Sequence, residues 1–241
     1  MNIIRTLTGI LALAFTAAAE TQTLNFLIEP GAFHPGNFST PAPGEARTAT
    51  LRTKASNTEN AVRMGLATPA ERMEAEQAAL YAEMRSSNAA TQREKLRQLV
   101  NKSEELQQHR ASQAKNGLIP ATIRHEADIK AAYYTAALQK DSASADSLQR
   151  VAEAYLQEME KRYRSGLCSR VEVLLAEITL QEALLLRSGG QNAEATQKKY
   201  AELAELLSAR VRSGAAPAAP AEQAAVAASL FAKQWAIHRK Q

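Results

Sequence analysis

Four glycines divide this chain at near-equal intervals. Gly65, Gly117, Gly166 and Gly214 stand 52, 49 and 48 residues apart, and each sits in a similar phrase: "MGLATPAERMEAE", "NGLIPATIRHEAD", "SGLCSRVEVLLAE" and "SGAAPAAPAEQAA". A period near 50 residues in a chain without strand patterns points to a repeated helix–turn–helix unit. The local chemistry agrees. A base stands two residues before each glycine (Arg63, Lys115, Arg164, Arg212), where it suits the negative end of a helix dipole. Glycine can then take the left-handed conformation that ends a helix. Leu66, Leu118 and Leu167 follow in three copies, and a Schellman ending predicts that each clasps back onto the helix it terminates. Thr68 with Glu71 and Ser169 with Glu172 have capping-box spacing for the start of a second helix, with Pro69 at its first position. In the same register the second and fourth copies use Pro120 and Pro217 in place of the capping-box Thr or Ser. Ten residues after each glycine stands an alanine (Ala75, Ala127, Ala176, Ala224), small enough to let two helices approach closely, and an acid follows in three copies (Glu76, Asp128, Glu177).

Between the glycine turns lie polar breaks, "RSSNAATQ" at 85–92, "QKDSASADS" at 139–147 and "RSGGQNAE" at 187–194. Alternating turns and breaks leave helices of about 20 residues, each about 30 Å long. Short connections make sequential helices antiparallel. Leu148, Val151 or Ala152, Tyr155, Met159 and Tyr163 recur at helical spacing, as do Tyr200, Leu203, Leu207 and Val211. Each set reads as a buried stripe. Composition fits: only 5% of residues are aromatic, which favours narrow helical seams over a thick mixed core. The expected fold class is all-α, built of long antiparallel coiled-coil helical hairpins over residues 50–241.

The first 49 residues differ. Arg5, the apolar "LTGILALAF" and small residues to Ala19 read as a secretory signal peptide over 1–19. Residues 20–49 read as a Pro/Gly-rich leader. No later segment reads as membrane-spanning, so the expectation is export to the periplasm or cell envelope. Losing Arg5 with the signal lowers the formal charge from +4 to +3. The charges lie on helix faces and do not favour nucleic acid. Cys168 is the single cysteine and reads as a small turn residue.

Catalytic patterns are not found. "RHEAD" places Ile129, not a second histidine, where H-E-x-x-H would need it. "SGG" at 188–190 lacks the lysine and hydroxyl of a phosphate loop, and acid pairs such as Glu104 and Glu105 or Glu158 and Glu160 stand among bases on polar faces. The reading is a non-enzymatic protein with no metal or other cofactor.

"RYRSGLCSRVEVLLAEITLQEA" (162–183) resembles a helix–turn–helix signature of the outer-membrane efflux protein (TolC-type) family, and "KNGLIPATIRHEADI" (115–129) resembles its other tip. The resemblance implies hairpins whose tips meet a partner. Family members are trimers with a periplasmic helical tunnel, and their tips contact the adaptor of an efflux pump. On that analogy Gly117, Leu118, Gly166, Leu167 and Ser169 are the candidate contact residues. Two features depart from the family: no alternating run of about ten residues reads as a barrel strand, and the tip phrase occurs four times instead of twice. The hairpin carries over and the channel does not. The expected function is therefore protein–protein contact or self-association, with two other readings: a component of an efflux assembly contacting an adaptor, and a ligand-sensing helical bundle.

Overall fold

In a computed structural model, residues 45–87, 89–188, 192–216 and 218–238 are described. The signal reading at 1–19, most of the leader and Pro217 lie outside them. The described residues form eight helices and no strand: α1 (Glu45–Arg63), α2 (Pro69–Ser86), α3 (Ala89–Lys115), α4 (Ala121–Gln139), α5 (Ser142–Arg164), α6 (Arg170–Ser188), α7 (Ala193–Arg212) and α8 (Ala218–His238). The chain is all-α. Helix α1 starts at Glu45, five residues inside the stretch read as leader. The last Pro and Gly of that stretch are Pro43 and Gly44, and Glu-Ala-Arg beyond them are good helix formers.

The helices divide into two compact units, residues 45–140 and 141–238. The division falls at Lys140, which ends α4 in the left-handed conformation (φ 58°). Asp141 then caps α5 by accepting a hydrogen bond from the Ser144 backbone at 2.7 Å. This break is two residues long, shorter than the polar run 139–147 suggested.

Within each unit, sequential helices pack as neighbours: α1 on α2, α2 on α3 and α3 on α4, then α5 on α6, α6 on α7 and α7 on α8. Ion pairs fix the sense of α2 and α3. Glu83 meets Lys95 beside the polar break, Glu76 meets Lys102 at 3.0 Å, and Glu74 meets Arg110 at 2.6 Å toward the glycine end. The two helices therefore run antiparallel, and both glycine turns of the first unit lie at one end. In the second unit Glu182 meets Tyr200 nearer the break and Arg170 meets Glu202 nearer the turns, which gives the same order.

The seams are narrow. Leu148, Ala152, Tyr155 and Met159 of α5 are buried, as are Tyr200, Leu203 and Leu207 of α7. All four alanines ten residues past the glycines are buried, and Ala127 clusters with Ala70, Met73 and Leu106. Each fully buried Leu or Tyr contributes about 1.5–3 kcal/mol. Rings extend the seams: Tyr81 of α2 lies 6.1 Å from Tyr134 of α4, and Phe231 of α8 stacks on Tyr200 at 5.4 Å. Two stripe residues depart from the reading: Tyr163 is exposed and Val211 is only partly covered. Among the described residues, no helix is long and apolar enough to cross a membrane.

Each glycine turn makes the same two hydrogen bonds. In the third, Leu167 donates to Arg162 O at 2.8 Å and Gly166 to Tyr163 O at 2.9 Å, with Gly166 at φ +69°. This is the full Schellman pattern. A Cβ at Gly166 would meet nothing within 4 Å, so the need for glycine is conformational and not steric. Gly166→Ala is expected to cost about 1 kcal/mol, the left-handed penalty alone. Urea denaturation would measure it, and a cost several times larger would mean the turn is packed against something.

Candidate functional site at the helix tips

The glycine turns carry the candidate contact residues, and their scaffolding is rigid. At the first turn, Thr68 and Glu71 form a complete capping box: the Thr68 backbone N–H donates to Glu71 Oε2 at 2.7 Å, and the Glu71 N–H donates to Thr68 Oγ1 at 3.2 Å. The Thr68 hydrogen bonds hold the Glu71 carboxyl below its ordinary range. At the third turn, Ser169 N–H donates to Glu172 Oε2 at 2.7 Å and the Glu172 N–H donates to Ser169 Oγ at 3.4 Å. Ser169 is thus a helix cap, half-buried and held by Glu172. Pro120, which stands in the register of Thr68 and Ser169, is the N-cap of α4, with no side-chain capping bond. Cys168 Sγ lies 3.3 Å from Met159 O, and burial raises its thiol pKa. A raised pKa leaves little thiolate, so this cysteine is a weak nucleophile.

The leucines do not clasp. Leu66, Leu118 and Leu167 are 76%, 70% and 66% exposed. The reason is local. In a Schellman ending the apolar contact runs to the residue whose carbonyl accepts the outer hydrogen bond. Here those residues are Ala61, Gln113 and Arg162, and none offers an apolar face of useful size. The leucines therefore project into solvent. Met64 and Tyr163 are exposed beside them, so five of the six exposed large apolar residues among the described ones lie within three positions of a glycine turn. Val226 is the sixth. Of the five candidate contact residues, the structure groups Gly117 with Leu118, and Gly166 with Leu167 and Ser169; the two groups belong to different units.

Below the tips, charged groups tie the helices together in a way the sequence reading missed. Glu177 of α6 meets Arg170 at 2.6 Å and Lys199 of α7 at 2.6 Å, and Glu202 meets the same two cations at 2.6 and 3.0 Å. The Glu177 hydrogen bond leads in raising the pKa of both Arg170 and Lys199. Burial opposes ionisation of Glu202, but hydrogen bonds from Arg170 and Lys199 outweigh it and hold that carboxyl below its ordinary range. The first unit repeats part of this arrangement: Lys102 meets Glu76 at 3.0 Å and Glu105 at 3.6 Å. The third acid of the set, Asp128, accepts from Gln107 at 3.0 Å and lies 3.4 Å from Arg124 and 3.9 Å from His125 Nδ1. A signal was present: Lys102 and Lys199 each stand 15 residues before the next glycine, and Glu105 and Glu202 each stand 12 before it. Those of the second unit are paired with one another and clamp α6 to α7.

One buried acid stands apart. Glu182 of α6 is 4% exposed and accepts a hydrogen bond from the Tyr200 hydroxyl of α7. Burial pushes its carboxyl from the ordinary 4.5 up to about 8, with the Tyr200 hydrogen bond opposing. The same burial, and the neighbouring carboxylate, hold the Tyr200 phenol well above its ordinary value, so it stays a donor. The pair lies inside the α6–α7 seam, closed off from a substrate. Among the described residues no group of three metal-ligating side chains occurs. Comparison with protein-family models, curated proteins and solved structures returned no match.

Proposed function

We propose that this is an exported, non-enzymatic protein of antiparallel coiled-coil hairpins, repeating about every 50 residues, that acts through protein–protein contacts made by its hairpin tips in the cell envelope. One observation carries the reading: five of the six exposed large apolar residues among those described sit at the glycine turns. Within the first unit Met64, Leu66 and Leu118 share one end, and exposed apolar side chains grouped in this way mark contact sites. The turns that present them are locked by paired Schellman hydrogen bonds, so the contact costs little ordering on binding. The likeness of the 115–129 and 162–183 segments to TolC-type tips supports the same reading, and only for the tips.

The test is crosslinking with mass spectrometry in periplasmic extract, comparing the native chain with a Leu118→Asp/Leu167→Asp double variant. The variant is expected to lose most of its crosslinks while its far-ultraviolet circular dichroism stays unchanged, because neither leucine contributes to a seam. Unchanged crosslinks would overturn the proposal. A fall in helicity would show instead that the leucines are structural.

A further inference from the structure

We infer that the surface met by the tips belongs to an acidic protein, with apolar pockets that each admit one leucine and a carboxylate rim around them. This rests on the tip-contact reading above and adds the chemistry of the partner. Within five residues of the four glycines the chain carries eight cations and no acid. The next acids outward, Glu71 and Glu172, are turned back into capping boxes, while Glu59 and Glu160 pair with Arg63 and Arg164 at 2.7 and 4.0 Å. Among the described residues, no carboxylate pairs with Lys115, Lys161, Arg162, Arg210 or Arg212. The seams below behave oppositely, since Lys95, Lys102, Arg110 and Lys199 are each matched by an acid of the neighbouring helix. Cations without an acid partner also occur away from the turns, but at the tips they stand with no acid within five residues of a turn glycine, three of the four tips carrying an exposed leucine, which directs them to a complementary surface.

A helix C-terminus carries about half a negative charge, which is less than the two or more cations that α5 and α7 each place there. The tips of the second unit therefore remain net positive. They hold four of the five tip cations without an acid partner, Lys161, Arg162, Arg210 and Arg212, and the first unit holds Lys115, so the tips of the second unit are the more acid-seeking. The leucine supplies the anchor at a tip's centre and the cations supply a charged rim, the usual division of labour in a protein interface. A lipid surface fits less well. Three of the tips offer one leucine each, beside Met64 at the first and Tyr163 at the third, and the fourth offers none. One leucine is about 1.5–3 kcal/mol of burial, whereas membrane anchoring by one short apolar group is marginal. A fluid bilayer also has no use for a rigid turn.

The experiment uses the full chain and a fluorescent amphipathic peptide of leucine and glutamate as probe, with vesicles of phosphatidylglycerol and phosphatidylcholine as the contrasting arm. The native chain is expected to bind the peptide, with affinity falling by about tenfold or more between low and high salt. A Lys161→Gln/Arg210→Gln/Arg212→Gln variant is expected to lose about tenfold at low salt with its thermal midpoint nearly unchanged. Leu167→Ala, which removes the apolar anchor without changing charge, is expected to lose a similar factor at both salt concentrations. Peptide binding that ignores the triple substitution overturns the inference, and so does binding to the vesicles in preference to the peptide. The two proposals fail separately. If the triple variant keeps its crosslinks in periplasmic extract while the double leucine variant loses them, the tips are contact sites and the partner is not acidic. If the double leucine variant also keeps them, the tips are not contact sites.

Discussion

Glu182→Gln is expected to stabilise the second unit at mild alkaline pH and to do almost nothing at pH 4.5. The carboxyl of Glu182 is raised from 4.5 to about 8 by burial in the α6–α7 seam. Between those values the folded chain keeps a proton that the unfolded chain has released. Stability therefore falls as pH rises across that window, is unaffected by this group below it, and levels off above about pH 8. The span corresponds to about 5 kcal/mol, a large share of the stability of any domain. Glutamine keeps the shape and still accepts from the Tyr200 hydroxyl, but it cannot ionise. Thermal midpoints of the native chain and the variant should converge near pH 4.5 and, for a unit of this size, separate by roughly 20 °C or more near pH 8.5. Other carboxylates pull the opposite way, since Glu71, Asp141 and Glu202 titrate below their ordinary range and lend stability that is lost on acidification. Only the difference between the two proteins isolates Glu182. Parallel curves would show that the carboxyl reaches water. Tyr200→Phe sharpens the test: it removes the interaction that lowers the Glu182 pKa, so the decline with pH should begin from a less stable protein and extend further.

What the sequence revealed of this molecule followed from how local the chemistry was. The four glycine turns were legible because a base and a left-handed glycine, joined in the first and third by a capping box, act within a few residues of one another. The stripes of α5 and α7 were legible for a similar reason, since helical spacing alone puts Tyr155 and Met159, or Leu203 and Leu207, on one face. The leucines do not clasp because a Schellman contact depends on the residue one turn back as much as on the leucine. Ala61, Gln113 and Arg162 were in plain view, and they could not hold a leucine. The Glu182–Tyr200 pair was hidden because it depends on how α6 and α7 register across the connection at 189–192. Residue spacing does not set that register; the packing of the whole seam does. The ion clusters lay between these cases. Their spacing from the glycines repeats, but only the fold shows that Lys199 faces Glu177 while exposed acids such as Glu104 face solvent.

Two leucines in the second unit should respond to alanine in opposite ways. Leu203 has 0% of its surface exposed and sits one turn from Tyr200 on the buried stripe of α7. Leu203→Ala removes that burial and leaves a cavity, for an expected cost of about 2–5 kcal/mol. Urea denaturation should show a lower midpoint with an unchanged slope, because the surface exposed on unfolding barely alters. Leu167 is the same side chain on a turn, 66% exposed, and Leu167→Ala should fall within about 0.5 kcal/mol of the native chain. The crosslinking readout should invert the order. Leu167→Ala weakens the contact made at the tip, whereas Leu203→Ala leaves the tip chemistry intact at temperatures where the protein remains folded. A residue that matters to binding and not to folding has been left exposed for contact, since burying it would have been the more stabilising use of a leucine. If Leu167→Ala costs as much stability as Leu203→Ala, Leu167 belongs to a packed seam, and the tips lose the exposed apolar groups on which the contact function depends.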